Sequence, residues 1–166
     1  MSKEYPGNPL NSKDFKKALK TKYVPTAEYA WSAGHAINRF LTGLKEGRIL
    51  GIKCRSCERI LVPPRAFCEE CFISVDEWVE LKDTGTVNTF AISYLDTMAN
   101  RIKKPLLPAV IEIDGAGGNG FLHMLGEVDP KKIKIGMKVK AVWKPAKDRK
   151  GDITDIKYFK PARGGV

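Results

Sequence analysis

Four cysteines in two pairs carry the clearest chemistry in this 166-residue chain: Cys54-Arg-Ser-Cys57 and Cys68-Glu-Glu-Cys71. Two residues between the cysteines of a pair let a tight turn aim both sulfurs at one point. Two such turns supply four thiolates in a tetrahedron, the donor set of a closed zinc site. Ten residues separate the pairs, shorter than the usual ribbon spacer but enough for a hairpin through Pro63-Pro64. A rubredoxin-type iron site is the competing reading. Such knuckles place glycine soon after the second cysteine, whereas Glu58 and Phe72 follow here, so the tight turn that donates hydrogen bonds to the sulfurs is expected to be lost. With four thiolates the metal has no open position, so its expected role is structural.

The rest of the chain offers less to catalysis. Neither His35 nor His123 has a nucleophile or carboxylate at motif spacing, and both read as packing or surface residues. Gly115, Gly117, Gly118 and Gly120 fall between two strands with no helix after them, so they read as a hairpin loop and not as a dinucleotide fingerprint. The segment Asp96–Leu107 reads as a long loop that holds Arg101, Lys103 and Lys104 beside Met98, Ile102, Leu106 and Leu107, a mixture suited to a ligand with a charged head and a greasy arm.

Three segments must position these residues. Residues 1–48 are expected to be helical: a short helix capped by Asn11-Ser12, then a restart at Pro25-Thr26 and a second helix over Ala27 to Leu44. That second helix carries one apolar face of Ala30, Ala33, Ile37, Phe40, Leu41 and Leu44 and closes at Gly47. These helices either cover their own domain or dock on a partner; docking is the favoured expectation. Residues 49–74 hold the cysteines and have little core of their own. Residues 75–160 read as β. Val75–Leu81 is the first strand, with a turn at Asp83-Thr84-Gly85. The second strand is Val87–Leu95, with Asn88, Phe90, Ile92 and Tyr94 facing the core. Strands over Ala109–Ile113, Phe121–Val128, Lys138–Lys144 and Ile153–Phe159 follow, with a helical turn begun by Asp129-Pro130 and ended by Gly136. Short strands of this order suit a small closed barrel of the OB type. Residues 161–166 are expected to be a mobile tail. The fold class is therefore mainly β with N-terminal helices, a zinc ribbon followed by a small OB-fold barrel.

The net charge is +10 and concentrates at the two ends. Residues 129–166 hold twelve Lys/Arg against four Asp/Glu, and residues 1–50 nine against four. Such surfaces attract phosphates, whether of nucleic acid, lipid or a nucleotide-like cofactor. No run of 18 apolar residues and no apolar leader stretch is present, so a cytoplasmic protein without a membrane span is expected. A reducing compartment favours a metal over disulfides for the four cysteines.

The order of helices, paired cysteines and barrel resembles the rubredoxin-like zinc-ribbon plus OB-fold proteins that accompany thiolases and related acyl-CoA enzymes. The residues that carry the resemblance are the four cysteines, Pro63-Pro64-Arg65, Phe67 before the second pair, Gly85-Thr-Val87, and the run from Asp129 to Val139. The resemblance implies a non-catalytic subunit that binds acyl-CoA or coenzyme A and bridges a thiolase and a hydroxymethylglutaryl-CoA synthase through its helices. On that view Arg101, Lys103 and Lys104 meet phosphates, and Phe90 or Tyr94 lines the arm. The alternative is a single-stranded nucleic-acid-binding protein. The absence of Lys and Arg from Val87–Leu95 and Ala109–Ile113 argues against it.

Overall fold

The computed structural model describes residues 9–22 and 29–162. The expected restart at Pro25-Thr26 and the last tail residues, 163–166, lie outside that range. The chain divides into two units, Met1–Ser32 and Ala33–Val166.

In the first unit, helix α1 spans Ser12–Ala18. The Asn11 side chain caps it as expected, accepting from the N–H groups of Lys13 and Asp14 at 3.0 Å each. Phe15 and Leu19 are exposed.

The second unit opens with α2, Gly34–Glu46. Its start is later than the periodicity implied. Gly34 sits at φ +67°, a left-handed conformation that a right-handed helix cannot run through, so Tyr29–Ala33 stay outside the helix, and Ala30 and Ala33 are exposed rather than on its apolar face. Gly47 ends the helix at φ +83°, and its N–H reaches the Leu44 carbonyl at 2.9 Å. The face made by Ala36, Phe40 and Leu44 is buried, and the Phe40 ring meets Phe121 edge-on at 6.2 Å. This helix therefore covers the core of its own unit, contrary to the favoured expectation of docking.

Strand β1, Ile49–Lys53, follows. Next come β2, Ile60–Leu61, then β3, Phe67–Cys68, and β4, Ile73–Ser74, which pair with each other. The segment Val75–Leu81, expected to open the barrel, forms β5 over Glu77–Leu81 and lies antiparallel along β1, with Ile52 opposite Trp78. The ribbon sheet is thus β2-β1-β5, and Arg39 of α2 lies 4.4 Å over the Trp78 ring.

The barrel begins with β6, Thr84–Phe90. Gly85, expected in a turn, is inside this strand. A Cβ there would lie 2.4 Å from the Glu112 carbonyl oxygen, so only glycine permits the strand approach. The strand also breaks where the alternation implied continuity. Val87 pairs with Ile111 and Thr89 with Val110, so Asn88 is an extra residue, a bulge that shifts the facing of everything after it. Gly85 and Val87 are buried, Asn88, Ile92 and Tyr94 are exposed, and only Phe90 of the expected inward set packs on the core. After the break, β7, Ser93–Leu95, pairs with β8, Arg101–Leu106, as a separate hairpin. Half of the expected long loop is therefore strand, Arg101–Leu106, preceded by a tight turn in which Asp96 accepts from the N–H groups of Met98 and Asn100 at 2.9 Å each.

Strands β9, Pro108–Ile113, and β10, Gly120–Met124, flank the glycine-rich loop as expected. Asp129 caps a short 3-10 turn, Pro130–Lys132, and β11 spans Lys138–Trp143. The last expected strand is shorter at its start. Ile153–Asp155 is a 3-10 turn, and β12 runs Ile156–Pro161. Pro161 is thus strand rather than tail, and the N–H of Ala162 bonds the Lys138 carbonyl at 2.9 Å. The barrel sheet is β10-β9-β6-β11-β12. A parallel bridge between Leu125 and Phe159, with Gly126 N–H donating to the Phe159 carbonyl at 2.9 Å, joins its two ends. Val87, Ile111, Ile113, Val139, Ile156 and Phe159 fill it.

Candidate metal centre and basic surfaces

Each cysteine pair sits at the end of a ribbon strand. Cys54 follows β1, and its N–H donates to the Arg59 carbonyl at 2.9 Å, closing the first knuckle. Cys68 ends β3, and its carbonyl accepts from Phe72 N–H at 2.8 Å, closing the second. The residue after each second cysteine is left-handed: Glu58 at φ +60° and Phe72 at φ +54°. The expectation that non-glycine residues here forfeit the tight turn is corrected. The turns form, and two side chains bear the strain. Arg59 ties the knuckles together, with Nη1 at 3.0 Å from Glu70 and 3.6 Å from Glu69.

The four sulfurs converge, all lying within 4.8 Å of one another, and Cys57 and Cys68 Sγ are 3.7 Å apart. Zinc–thiolate bonds of about 2.3 Å imply tetrahedron edges of about 3.8 Å, so the donor set and spacing fit a zinc ion. Cys54 and Cys68 are fully buried, Cys71 is half-buried and Cys57 faces solvent. The Cys57 backbone N–H, then that of Ser56, draw the Cys54 thiol down to about 7. For Cys57 the Arg59 N–H also pulls downward, but desolvation and the neighbouring Cys54, Cys71 and Cys68 thiols outweigh it and push the group up to about 12. Cys54 therefore ionises first and Cys57 resists, and a divalent cation that binds here must displace the protons that remain.

Relief of the two left-handed residues is measurable. Glu58→Gly and Phe72→Gly should each raise the stability of the metal-loaded protein by about 1 kcal/mol, the usual cost of a side chain in this conformation. Thermal unfolding in excess zinc checks this. A lowered Tm in both variants would mean the side chains hold the knuckles by contact.

The ligand residues expected from position are only partly gathered. Tyr94, Arg101, Lys103 and Lys104 share the exposed β7–β8 hairpin, with Leu95 paired to Arg101. Phe90 does not join them, because it packs on the barrel core. Successive strand residues face opposite ways, so Arg101 and Lys103 share a face and Lys104 takes the other. The hairpin also exposes Ile92, Leu95 and Met98.

The histidines are a half-buried packing residue, His123, and a surface residue, His35, within the expected packing-or-surface reading. His123 Nδ1 accepts from Met124 N–H at 2.8 Å, so Nε2 carries the proton and donates to the Ile153 carbonyl at 3.2 Å. Its ring meets Phe159 at 5.5 Å. His35 lies edge-on to Trp78 at 6.2 Å.

Two features escaped sequence reasoning. Asp155 is the one buried charged residue among those described. It accepts from the backbone N–H groups of Lys150 at 2.9 Å, Gly151 at 2.7 Å and Asp152 at 3.2 Å. Desolvation acts to raise its pKa, but these three donors and the charge of Lys144 hold it below the usual aspartate value. The spacing of Asp152 and Asp155 was the available signal, since it is the signature of a capped turn. The second feature is a cleft of about 860 Å³ beside the Asp129–Met137 run, which no periodicity could reveal.

Residues 41–76 match the family described as "ChsH2, rubredoxin-like zinc ribbon domain", and residues 78–144 match "ChsH2, C-terminal OB-fold domain". A DUF35 domain-containing scaffold protein of Methanothermobacter thermautotrophicus is 28% identical over 118 residues, spanning 68% of this chain and 86% of that one. A crystal structure of a DUF35-family protein of unknown function from Sulfolobus solfataricus is 32% identical, covers 78% of this chain and 87% of its own, and superposes with a TM-score of 0.57. The structure described as "Ltp2-ChsH2(DUF35) aldolase" has the same fold at 23% identity, covering 80% of this chain and 98% of that one, with a TM-score of 0.57.

Proposed function

The chain belongs to the DUF35 family, and from that membership we propose that it is a non-catalytic scaffold subunit of an acyl-CoA enzyme complex, built on a zinc-stabilised ribbon and an OB-fold barrel. Its partner on this reading is a thiolase, with a hydroxymethylglutaryl-CoA synthase as a second enzyme, and its ligand is acyl-CoA or coenzyme A. The observation that carries the reading is the β7–β8 hairpin. It lies outside the barrel sheet, and it exposes Tyr94, Leu95 and Met98 beside Arg101, Lys103 and Lys104. Aromatic, methionine and arginine side chains clustered on a surface are the composition of a binding patch. The name of the Methanothermobacter relative, a scaffold protein, and the pairing of a DUF35 protein with an aldolase in the structure at 23% identity point the same way. The closed four-thiolate site adds support, because its metal has no position left for a substrate. Among the described residues, no helix is long and apolar enough to cross a membrane.

Within the first unit, α1 offers a second contact through Phe15 and Leu19. Affinity capture of the tagged full chain from cytosol tests the proposal, with bound proteins identified and a nuclease-treated control. An acyl-CoA condensing enzyme, thiolase foremost, is the expected catch, and a chain reduced to residues 33–166 should stay folded yet capture less. Recovery of nuclease-sensitive ribonucleoprotein without such an enzyme would overturn the proposal in favour of nucleic-acid binding.

A further inference from the structure

The cleft beside the Pro130–Lys132 turn and β11 has a composition that the fold does not explain. At about 860 Å³ it lies within the range of small-molecule sites, about 300–1,000 Å³. Lys131, Lys132 and Lys134 line it, and among the described residues their ammonium groups have no ion-pair or hydrogen-bond partner. Lys138, also on the wall, is held by Thr86 at 2.7 Å and Asp114 at 3.2 Å.

The two carboxylates nearby do not neutralise these lysines. Glu127 accepts from the Tyr158 hydroxyl at 2.5 Å and from Lys160 at 3.0 Å. Asp129 is committed as the cap of the turn, accepting from Lys131 N–H at 3.0 Å. Ile135 stands in the middle of the lysines and is 71% exposed, and Val128 and Met137 extend the apolar wall. An open isoleucine costs hydration free energy, and three ammonium groups lining one cleft repel one another. A ligand that is both multiply anionic and apolar along its length relieves both at once.

We infer that this cleft binds a small molecule with a diphosphate head and an aliphatic arm, the head on Lys131, Lys132 and Lys134 and the arm on Ile135, Val128 and Met137. That chemistry has two sources: the pantetheine-diphosphate half of coenzyme A, and an isoprenoid diphosphate. The first rests on the proposed acyl-CoA role; the second does not.

The test is an NMR titration of the full, zinc-loaded chain with inorganic pyrophosphate, coenzyme A and geranyl diphosphate. Coenzyme A or geranyl diphosphate should bind about tenfold or more tighter than pyrophosphate, with amide shifts centred on residues 128–138, and the tighter of the two names the source. The triple variant Lys131→Gln, Lys132→Gln, Lys134→Gln should weaken that ligand by about tenfold or more. Ile135→Ser should weaken it while leaving pyrophosphate unchanged. The four substituted side chains, Lys131, Lys132, Lys134 and Ile135, are exposed and lie outside the buried core cluster, so the substitutions leave the barrel core untouched. Equal, weak binding of all three compounds, insensitive to the lysine substitutions, would overturn the inference. So would coenzyme A binding whose shifts fall on the β7–β8 hairpin with the cleft silent, an outcome that leaves the scaffold role standing.

Discussion

Cys54→Ser or Cys68→Ser should abolish zinc binding and unfold the ribbon. The wild-type chain is expected to carry one zinc per molecule by elemental analysis, and either variant none. The reason is the size of the ribbon's own core. Ile52, Leu61 and Val75 are its buried aliphatic side chains, and two of the remaining members of that cluster are Cys54 and Cys68 themselves. Structural zinc sites of this kind contribute about 10–16 kcal/mol at neutral pH, far more than three aliphatic side chains at about 1.5–3 kcal/mol each. Amide signals of Ile52, Leu61 and Trp78 should collapse to unfolded positions. The effect should also reach the barrel in weakened form, because Ile49 of β1 and Val62 belong to the main core with Phe40 and Leu44, while Ile111 and Val139 should keep their protection. Retained ribbon signals in a zinc-free variant would show that side-chain packing alone suffices. Acid should reproduce the substitution, since protonation of the thiolates competes with the metal.

Asp155→Ala should be the most destabilising single change outside the metal site, at about 3–5 kcal/mol. It strands the N–H groups of Lys150, Gly151 and Asp152, each left without its acceptor, and unsatisfied donors cost about 1–3 kcal/mol apiece. The turn so held leads directly into β12, whose Ile156 and Phe159 are fully buried and whose bridge to Leu125 joins the barrel's ends. Gly151, held by the same carboxylate, lies close to the Leu41 carbonyl of α2, which a Cβ would approach to 3.4 Å. The same carboxylate sets a pH dependence. Its folded pKa is depressed, so its stabilisation is fully present above the unfolded aspartate pKa near about 3.9. It is lost as pH falls through the folded value. Urea unfolding across that window should show a slope in the wild type that flattens in the variant. Equal slopes would mean that the carboxyl of Asp155 is not depressed in the folded state.

The metal site was the most legible part of the sequence, because knuckle chemistry depends on spacing along the chain. The barrel strands Ala109–Ile113 and Lys138–Lys144 were legible for a similar reason: Ala109, Ile111, Ile113, Val139 and Ala141 alternate without interruption and are all buried. Errors arose where one residue broke a period. Asn88 adds a bulge that no alternation count detects, so the inward face of the second strand was assigned to the wrong residues. Gly34 stops α2 by its backbone conformation, while Ala30 and Ala33 still fit the helical period. The spacing of Asp152 and Asp155 signals a capped turn, but the burial of Asp155 is not legible, because its partners are backbone N–H groups, which carry no residue identity. The basic cleft is a tertiary object, and the run from Lys131 to Met137 shows its composition but not its concavity.

On the proposed function, this chain works by holding an acyl-CoA enzyme and not by catalysis of its own. The most direct measurement mixes the purified, zinc-loaded chain with the thiolase of the same organism and follows both by sedimentation velocity, with acetoacetyl-CoA condensation assayed on the same samples. One co-sedimenting species of fixed stoichiometry, and no turnover by the isolated chain, are expected. Separate boundaries at every mixing ratio, or turnover by the chain alone, would contradict the proposed function.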